Sequence, residues 1–244
     1  MDRNQTTGGN MMFGSCLLTD LEVLHFFNGS DNLFIDQLAL VLTSGLTWIP
    51  LYLILFYIIV RNNETMAQIG LAVMGALVCV ALSEGITDGV VKPLVERWRP
   101  NNDPILKYTI QVVGNLRGSG YSFFSAHAAN TMSIAMFFSL LMRGKRLAIA
   151  LFSWSLLNCW TRLYLGMHYP SDILCGLLVG AVIGFVCYIG YLKLYYKVSP
   201  HITYISDQYT PTGYDHDDID KILCILAFTL VYAFLRAIVM AGGV

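Results

Sequence analysis

The sequence is short of charged residues. Only 13% of its 244 residues are Asp, Glu, Lys or Arg, whereas 56% are hydrophobic. Soluble domains usually carry about 25% charged residues, so the shortage argues against an ordinary soluble domain and indicates a chain in contact with lipid. The formal net charge is −1, so the chain lacks the excess of basic residues that is typical of nucleic-acid-binding proteins. No nucleic-acid partner is therefore expected.

The cysteines lack the CxxC spacing that marks many zinc and redox sites. Most lie in apolar stretches, and we interpret them as small buried hydrophobic residues rather than as ligands or disulfide partners. They are Cys16, Cys79, Cys159, Cys175, Cys187 and Cys224. Residues 1–16 also lack the positive region and apolar core of a removable signal peptide, so the first long apolar stretch is expected to remain in the protein.

Several apolar stretches approach the length of about 20 residues that a membrane-spanning helix requires. They cover roughly residues 35–60, 66–90, 125–142, 146–161, 170–192 and 221–241. The sequence therefore predicts an all-α polytopic transmembrane helix bundle of about six spans, in one domain over residues 1–244. The moderately apolar segment 17–34 predicts an N-terminal interfacial amphipathic helix.

Small residues recur on two of these stretches and predict close helix packing. On the fifth stretch, Gly176, Gly180 and Gly184 follow one another at intervals of four. Further candidates for close packing on the second stretch are Gly70, Gly75 and Gly85.

The connections between the stretches are expected to alternate between two faces of the bundle. One face holds the connections at 61–65, 143–146 and 193–220, and the other holds those at 91–122 and 162–169. The second face collects Lys92, Arg97, Arg99, Arg117, Arg162, His127 and His168. Ordinary loop charges beside headgroups would explain some of them, but not three groups of similar residues at helix ends, because charges beside lipid are costly unless they pair or bind something.

The first group is Lys92–Pro100, in which Lys92 and Arg99 stand seven residues apart. Arginine offers a planar pair of donors for phosphate oxygens, and lysine supplies a point charge. The second group, Ser125–His127, opens an apolar helix. Its serine can cap that helix, and the free N–H groups of the first turn form an anion site.

The third group contains Arg162, His168 and Asp172. His168 and Asp172 are four residues apart, so the carboxylate of Asp172 can hold one imidazole nitrogen and leave the other free to attack. The remaining histidines, His25, His201 and His216, lie outside these groups and are interpreted as surface residues.

In their order and spacing, these groups resemble the signature of the type 2 phosphatidic acid phosphatase superfamily, which is K-x6-RP, PSGH and SR-x5-H-x3-D. The first motif is complete, and Thr161 replaces the serine of the third. In the second motif, Phe124-Ser125-Ala126-His127 stands in place of PSGH, so its serine and histidine are present without the proline and glycine. The resemblance covers residues 92–172 and implies a membrane lipid phosphatase.

The resemblance also implies a role for each matching residue. His168 would be the nucleophile that forms a phosphohistidine, Asp172 would orient it, and His127 would act as general acid and then as base. The phosphate ligands would be Lys92, Arg99, Ser125 and Arg162. No metal and no cofactor are expected, since fixed cations can stabilise the charge that metal ions stabilise in other phosphoryl-transfer enzymes.

Four charged residues on the second stretch, Glu84, Asp88, Lys92 and Glu96, are spaced by four and would share one helical face. We interpret them as an ion-pair ladder that offsets the burial of Lys92. In the other interpretation, the carboxylates adjust the charge and proton supply of the site.

The function expected is hydrolysis of a lipid phosphate or diphosphate. The candidate substrates are undecaprenyl diphosphate, phosphatidylglycerol phosphate, phosphatidic acid and lipid A 1-phosphate. A lipid phosphotransferase with the same intermediate and a non-catalytic protein that binds or transports anionic lipid remain as alternatives. No protein partner is required by any of these functions.

The basic residues of the first face predict its orientation in the membrane. These residues are Arg61, Arg143, Lys145, Arg146, Lys193 and Lys197, and such an excess is typical of cytoplasmic loops. The other face would then be external, which predicts a bacterial inner-membrane protein with its active site on the periplasmic side. With six spans, both termini would lie outside; a seventh span within 17–42 would move the N-terminus inside.

Overall fold

A computed structural model describes residues 19–198 and 208–243, which are helical apart from turns and loops, with no β-strand in those ranges. After a helical segment at 19–27, the main helices are α1 (Leu33–Thr43), α2 (Ile49–Arg61), α3 (Met66–Ile86), α4 (Ala126–Met142), α5 (Lys145–Tyr164), α6 (Pro170–Val198) and α7 (His216–Gly242). The predicted all-α fold class is confirmed.

Three of the helical units described are long and apolar enough to cross a membrane. They are Met66–Val95, in which α3 continues beyond Ile86, together with α6 and α7. The bent pair α1–α2 raises the number to four. Apolar side chains such as Leu178, Phe228 and Val239 remain 69–72% exposed on α6 and α7. These surfaces are those of an integral membrane protein facing lipid.

The remaining apolar stretches form shorter or more polar helices. Helix α4 has 17 residues, of which ten are buried, and α5 has 20 residues that include buried Asn158 and Arg162. Both helices therefore bury much of their surface in the bundle. Of the six predicted spans, the described residues support three, or four with the bent pair.

The chain bends by 67° between α1 and the helices that follow it. Ser44 is extended, and a short 3₁₀ turn, Gly45–Trp48, precedes α2. The hydroxyl of Thr47 donates to the carbonyl of Val41 at 2.5 Å, and the indole of Trp48 donates to that of Leu42 at 2.9 Å. These bonds add side-chain donors to carbonyls at the end of α1, where the Val41 carbonyl also accepts the backbone N–H of Ser44.

Helices α4 and α6 touch backbone to backbone. A Cβ atom at Gly180 would lie 2.4 Å from the carbonyl oxygen of Ala129, and one at Gly184 would lie 2.4 Å from that of Ser133. At Gly176 the nearest atom would be the carbonyl oxygen of Ser125, at 2.7 Å. The predicted close packing of this glycine row is confirmed.

The second set of glycines behaves differently. A Cβ atom at Gly75 would lie 2.5 Å from the ring of Phe137, whereas Gly70 and Gly85 have no atom within 4 Å of that position. Close packing is thus confirmed at Gly75 and was wrongly predicted for Gly70 and Gly85.

The N-terminal helical segment lies against the loops before α4 and α6. Its Leu24 is fully buried and packs with Ile110 and Tyr169. Asn28 follows the last helical residue, and its side-chain amide donates to the carbonyls of Gln111 and Tyr164. The structure therefore divides the predicted amphipathic helix at 17–34: residues 19–27 are helical, a turn follows, and α1 begins at Leu33. Residues 17 and 18 lie outside the described part, and an interfacial position stays a prediction.

The loop at the end of α2 meets the start of α7 at the end of the bundle away from the Lys92 loop. Asn62 donates to Asp218 at 2.8 Å, and Arg61 pairs with the same carboxylate at 2.9 Å. Arg146 of α5 lies 3.4 Å from Asp220. These contacts agree with the predicted grouping of the 61–65 and 143–146 connections on one face.

The described cysteines are all free thiols. Cys79, Cys159 and Cys187 are buried, as predicted for small hydrophobic residues, and Cys175 is partly buried. Cys224 is exposed on α7, so the interpretation as a buried residue is wrong there, and Cys16 lies outside the described residues.

Candidate active site

A cavity of about 800 Å³ lies where the loop after α3 meets the start of α4 and the α5–α6 connection. Its lining brings together Lys92, Arg99, His127, Arg162 and His168. These residues come from three parts of the chain that are far apart in sequence. Their convergence on one cavity agrees with the grouping predicted from the sequence.

Arg99 holds one side of the His168 ring. Its Nη1 atom lies 3.0 Å from Nε2 of His168 and 3.2 Å from the carbonyl oxygen of Met167, and its Nε donates to the carbonyl of Ser119 at 3.1 Å. A guanidinium can only donate, so Nε2 is the acceptor and the neutral ring carries its proton on Nδ1. The Nε2 lone pair is thereby directed to a cation that faces the cavity.

The other ring nitrogen faces Asp172 and Ser122. Nδ1 of His168 lies 3.6 Å from Oδ2 of Asp172, which is longer than a normal hydrogen bond. The hydroxyl of Ser122 donates to that same oxygen and lies 3.5 Å from Nδ1. Ser122 is therefore placed between the imidazole and the carboxylate.

Asp172 lies behind the cavity rather than in its wall. It is fully buried, and its Oδ2 also accepts the backbone N–H of Tyr169 at 2.9 Å. Its Oδ1 accepts from Nη1 of Arg97 at 2.7 Å. Buried carboxylates need such donors, because an unpaired charge in this position would be strongly destabilising.

His168 is 1% exposed. Burial disfavours the charged imidazolium and lowers the pKa of His168 below its usual 6.5; the cations of Arg99 and Arg162 act in the same direction, whereas Asp172 opposes them. The ring is therefore neutral near pH 7, as a nucleophile must be. Burial also lowers the pKa of Arg99, which nevertheless remains a cation at neutral pH.

Arg162 is anchored by the bend of the first helix pair. Its Nη1 donates to the hydroxyl of Thr43 at 2.7 Å. Its Nε is buried and has no hydrogen-bond partner among the described residues. Thr43 thus links the end of α1 to a cation in the cavity wall.

Lys92 is paired with Asp88, whose carboxylate lies 2.5 Å from its Nζ. Helix α3 passes through a π turn, Thr87–Val91, just before Lys92, and the helical backbone ends at Glu96 in a left-handed conformation. Glu84 instead accepts from the side chain of Asn130 at 3.0 Å. The predicted four-residue ladder is therefore wrong: the structure contains a Lys92–Asp88 pair, and the π turn and the helix end separate it from its neighbours.

His127 and Ser125 lie at the start of α4. The His127 ring is exposed to the cavity, whereas Ser125 is fully buried and its hydroxyl accepts the N–H of Ala128 at 3.4 Å. Ser125 is thus the N-cap of α4, and direct phosphate binding by its hydroxyl stays a prediction. Of the other histidines, His25 and His216 are exposed as predicted, and His201 lies outside the described residues.

Sequence reasoning missed three residues of this site: Ser122, Arg97 as a partner of Asp172, and Thr43. Arg97 stands inside the first motif, so its position was a signal. No sequence signal marks Ser122 or Thr43, since their partners lie 46 or more residues away in sequence. Within residues 19–198 and 208–243, no group of three or more His, Cys, Asp or Glu side chains is arranged to hold a metal ion.

A buried neutral histidine beside several cations, at the ends of lipid-facing helices, has the chemistry of a membrane phosphatase. A family model described as the PAP2 superfamily matches residues 72–196. That range covers more than half of the chain and contains each of the three motifs. The chain therefore belongs to the PAP2 superfamily, and it is an integral-membrane lipid phosphatase.

Two curated relatives are similar to this chain. One is a lipid A 4'-phosphatase of Bacteroides thetaiotaomicron, 34% identical over 171 residues that cover 69% of this chain and 75% of the relative. Another is a lipid A 4'-phosphatase of Porphyromonas gingivalis, 29% identical over 168 residues that cover 68% of this chain and 70% of the relative. No solved structure matches the chain.

Proposed function

We propose that this protein removes the 4' phosphate of lipid A through a phosphohistidine formed on His168. The observation that carries the proposal is the contact between Arg99 and Nε2 of His168, 3.0 Å apart, in a cavity that also contains the His127 ring. A phosphoryl oxygen bound by Arg99 would bring phosphorus within reach of the Nε2 lone pair.

The reaction would proceed in two displacements. In the first, Nε2 attacks phosphorus, the bond between phosphorus and the sugar oxygen breaks, and His127 gives a proton to that oxygen. In the second, His127 takes a proton from water, the resulting hydroxide attacks the phosphohistidine, and the Nε2–phosphorus bond breaks to release phosphate. The imidazole then returns to its starting form.

Fixed cations would stabilise the charge that develops on the phosphoryl oxygens. Arg99 and Arg162 are 6% and 8% exposed, and the Lys92 side chain is 12% exposed. Because these groups are largely shielded from water, their attraction for a phosphate is stronger than that of exposed charges. The unpaired Nε of Arg162 is consistent with this role.

A lipid substrate is supported by a second cavity beside the first. This apolar groove of about 450 Å³ lies between α2, α3 and α4, with Leu55, Ala76 and Phe138 among its lining residues. It shares Tyr52, Glu84 and Asn130 with the polar cavity. A lipid could therefore place its phosphate near His168 while an acyl chain follows the groove into the membrane.

The choice of lipid A and of its 4' position rests on the relatives, both of which are named lipid A 4'-phosphatases. For the location, we infer the bacterial inner membrane with the cavity on the periplasmic side. The basic residues of the opposite face support this orientation, since such residues favour the cytoplasm.

The test uses the purified protein in detergent with lipid A phosphorylated at both the 1 and 4' positions. Phosphate release and mass spectrometry of the product are expected to show loss of the 4' phosphate. Lipids without the 4' phosphate, phosphatidic acid and undecaprenyl diphosphate serve as comparison substrates. His168→Ala is expected to abolish release in a variant that still elutes as the wild type does from a sizing column.

The covalent step is tested separately with substrate labelled by ³²P in the 4' phosphate. Label that stays on wild-type protein through alkali and is lost in acid would support a phosphohistidine. Release of the 1 phosphate, or faster hydrolysis of a comparison lipid, would contradict the substrate assignment. Full activity in His168→Ala would contradict the mechanism.

A further inference from the structure

Arg97 joins two carboxylates that belong to different parts of the chain. Its Nη1 lies 2.7 Å from Oδ1 of Asp172, and its Nη2 lies 3.0 Å from Oδ2 of Asp20 in the N-terminal helical segment. The guanidinium carbon also lies 3.8 Å above the centre of the Tyr169 ring. These two ion pairs and the ring contact together fix the position of the Arg97 guanidinium.

Asp20 is held as firmly as its partner. Its carboxylate accepts the backbone N–H of Ser171 at 3.0 Å and also the Ser171 hydroxyl, while Arg97 donates to that hydroxyl at 2.8 Å. Side-chain exposure is 10% for Asp20 and 21% for Arg97. Partly buried, charge-assisted contacts of this kind are stronger than exposed ion pairs.

The two oxygens of Asp172 have different partners, and this decides how the carboxylate is oriented. Arg97 bonds Oδ1, so Oδ2 is left to face Ser122 and the Nδ1 atom of His168. Without Arg97, the carboxylate of Asp172 would have an unpaired oxygen in a fully buried position, and rotation toward other donors would become favourable. The Nδ1 side of the His168 ring would then lose the carboxylate that faces it and that stabilises a positive charge on the ring.

We propose that Arg97 is a positioning residue, which holds Asp172 toward His168, and that Asp20 acts as the brace that keeps Arg97 in place. The N-terminal segment would thereby be part of the catalytic machinery, although it lies outside the three motifs and outside the region matched to the family. This inference rests on the proposed role of His168 as the nucleophile.

The test compares Arg97→Gln, Arg97→Lys, Asp20→Asn and the double variant Asp20→Asn/Arg97→Gln. The substrate is whichever ester wild type hydrolyses fastest among lipid A, phosphatidic acid, undecaprenyl diphosphate and p-nitrophenyl phosphate. A matched control is Arg61→Gln, which removes the arginine partner of Asp218, a carboxylate that is also buried but lies at the other end of the bundle. Removing a group that orients a functional histidine through its partner costs about 10- to 100-fold at metal sites, and we expect a loss of this size here.

Arg97→Gln is expected to lower kcat by about 10- to 100-fold with little change in KM, since the residue acts on the nucleophile rather than on bound phosphate. Arg97→Lys should recover part of this loss. Asp20→Asn should cause a smaller loss, and the double variant should equal Arg97→Gln, because Asp20 acts through Arg97.

An unchanged kcat in Arg97→Gln, or losses that add fully in the double variant, would overturn the inference. So would an equal fall of kcat in Arg61→Gln, which would point to general destabilisation. These results are separate from the test of the proposed function: wild type that hydrolyses another ester but not lipid A contradicts the substrate assignment alone, and the Arg97 comparison is still made on that ester.

Discussion

Arg99 donates a hydrogen bond to Nε2 of His168, so the cation that would bind the phosphate also contacts the atom that would attack it. The two side chains are 6% and 1% exposed. This contact assigns the ring proton to Nδ1. The positive charge of Arg99 also disfavours a second proton on the ring, because that proton would have to bind Nε2.

The first prediction concerns the dependence of stability on pH. Burial lowers the pKa of His168 to about 3 in the folded protein. Between pH 6.5 and that value only the unfolded chain binds the additional proton, so the folded state loses stability as the pH falls. At about 1.4 kcal/mol per pH unit, this one group would remove about 2 kcal/mol between pH 6.5 and 5.0. Thermal unfolding at pH 7.5 and 5.0 should show a larger fall for wild type than for His168→Gln. His216→Gln, which changes an exposed histidine, should behave as wild type does; equal falls in all three proteins would contradict the prediction.

The second prediction concerns the contact between Gly118 and the side chain of Arg99. A Cβ atom at Gly118 would lie 2.7 Å from Cδ and Nε of Arg99, so Gly118→Ala must displace this side chain. Hydrogen bonds to charged groups contribute about 1.5–3 kcal/mol, and we expect KM and the inhibition constant of inorganic phosphate to rise about tenfold or more. Gly85→Ala is the control, because no atom lies within 4 Å of its Cβ position. An inhibition constant that stays at the wild-type value in Gly118→Ala would count against the predicted role of Arg99.

The third prediction concerns the contact between α4 and α6. In Gly180→Ala the new methyl group would meet the backbone of Ala129 at 2.4 Å, and such overpacking typically costs about 1–3 kcal/mol. Thermal unfolding in detergent should therefore begin at a lower temperature. Gly190→Ala on the same helix has no atom within 4 Å of its Cβ position and should be at least as stable as wild type, since alanine favours a helix over glycine. Equal unfolding temperatures for the two variants would refute the prediction.

The fourth prediction concerns the apolar groove. Ala76→Phe would fill part of the space between α2, α3 and α4. Each methylene buried in the groove contributes about 0.8 kcal/mol to the free energy of binding. If two methylenes of the acyl chain can no longer be buried, kcat/KM is expected to fall about tenfold. Hydrolysis of p-nitrophenyl phosphate, which has no acyl chain, should be unchanged.

Ala227→Phe is the matched control for this fourth prediction, because Ala227 lines a different apolar groove between α5 and α7. If both variants lowered lipid hydrolysis equally, or if Ala76→Phe also lowered hydrolysis of the small ester, the groove would not be the acyl-chain site.

Much of the helical fold follows from local properties of the sequence. Apolar runs predicted the main helices, and the intervals of four predicted close packing at Gly176, Gly180 and Gly184; the structure shows that the partner is α4. The bounds of α4, predicted as 125–142, are nearly correct, whereas α6 and α7 are longer than the predicted 170–192 and 221–241. The π turn before Lys92 was not predicted, because no residue pattern marks the insertion of a residue into a helix turn.

In the site, too, the residues of the motifs were predicted and their partners from distant parts of the sequence were not. The grouping of Lys92, Arg99, His127, Arg162 and His168 was predicted, since motif order and helix alternation bring them to one face. The partners that hold them were missed. Ser122, Asp20 and Thr43 meet the site through contacts that span 46 to 151 residues of sequence, and local patterns carry no information about such contacts.

The glycine contacts between α4 and α6 also set how the enzyme can adapt to its substrate. Because backbone meets backbone at three successive turns, neither helix can slide without a clash, and His127 and Asp172, in the first turns of α4 and α6, are held in register with each other. The cavity lining from α1 and α2 contains the 67° bend after Thr43. We therefore expect this side of the cavity, rather than the α4–α6 side, to move when a lipid headgroup enters.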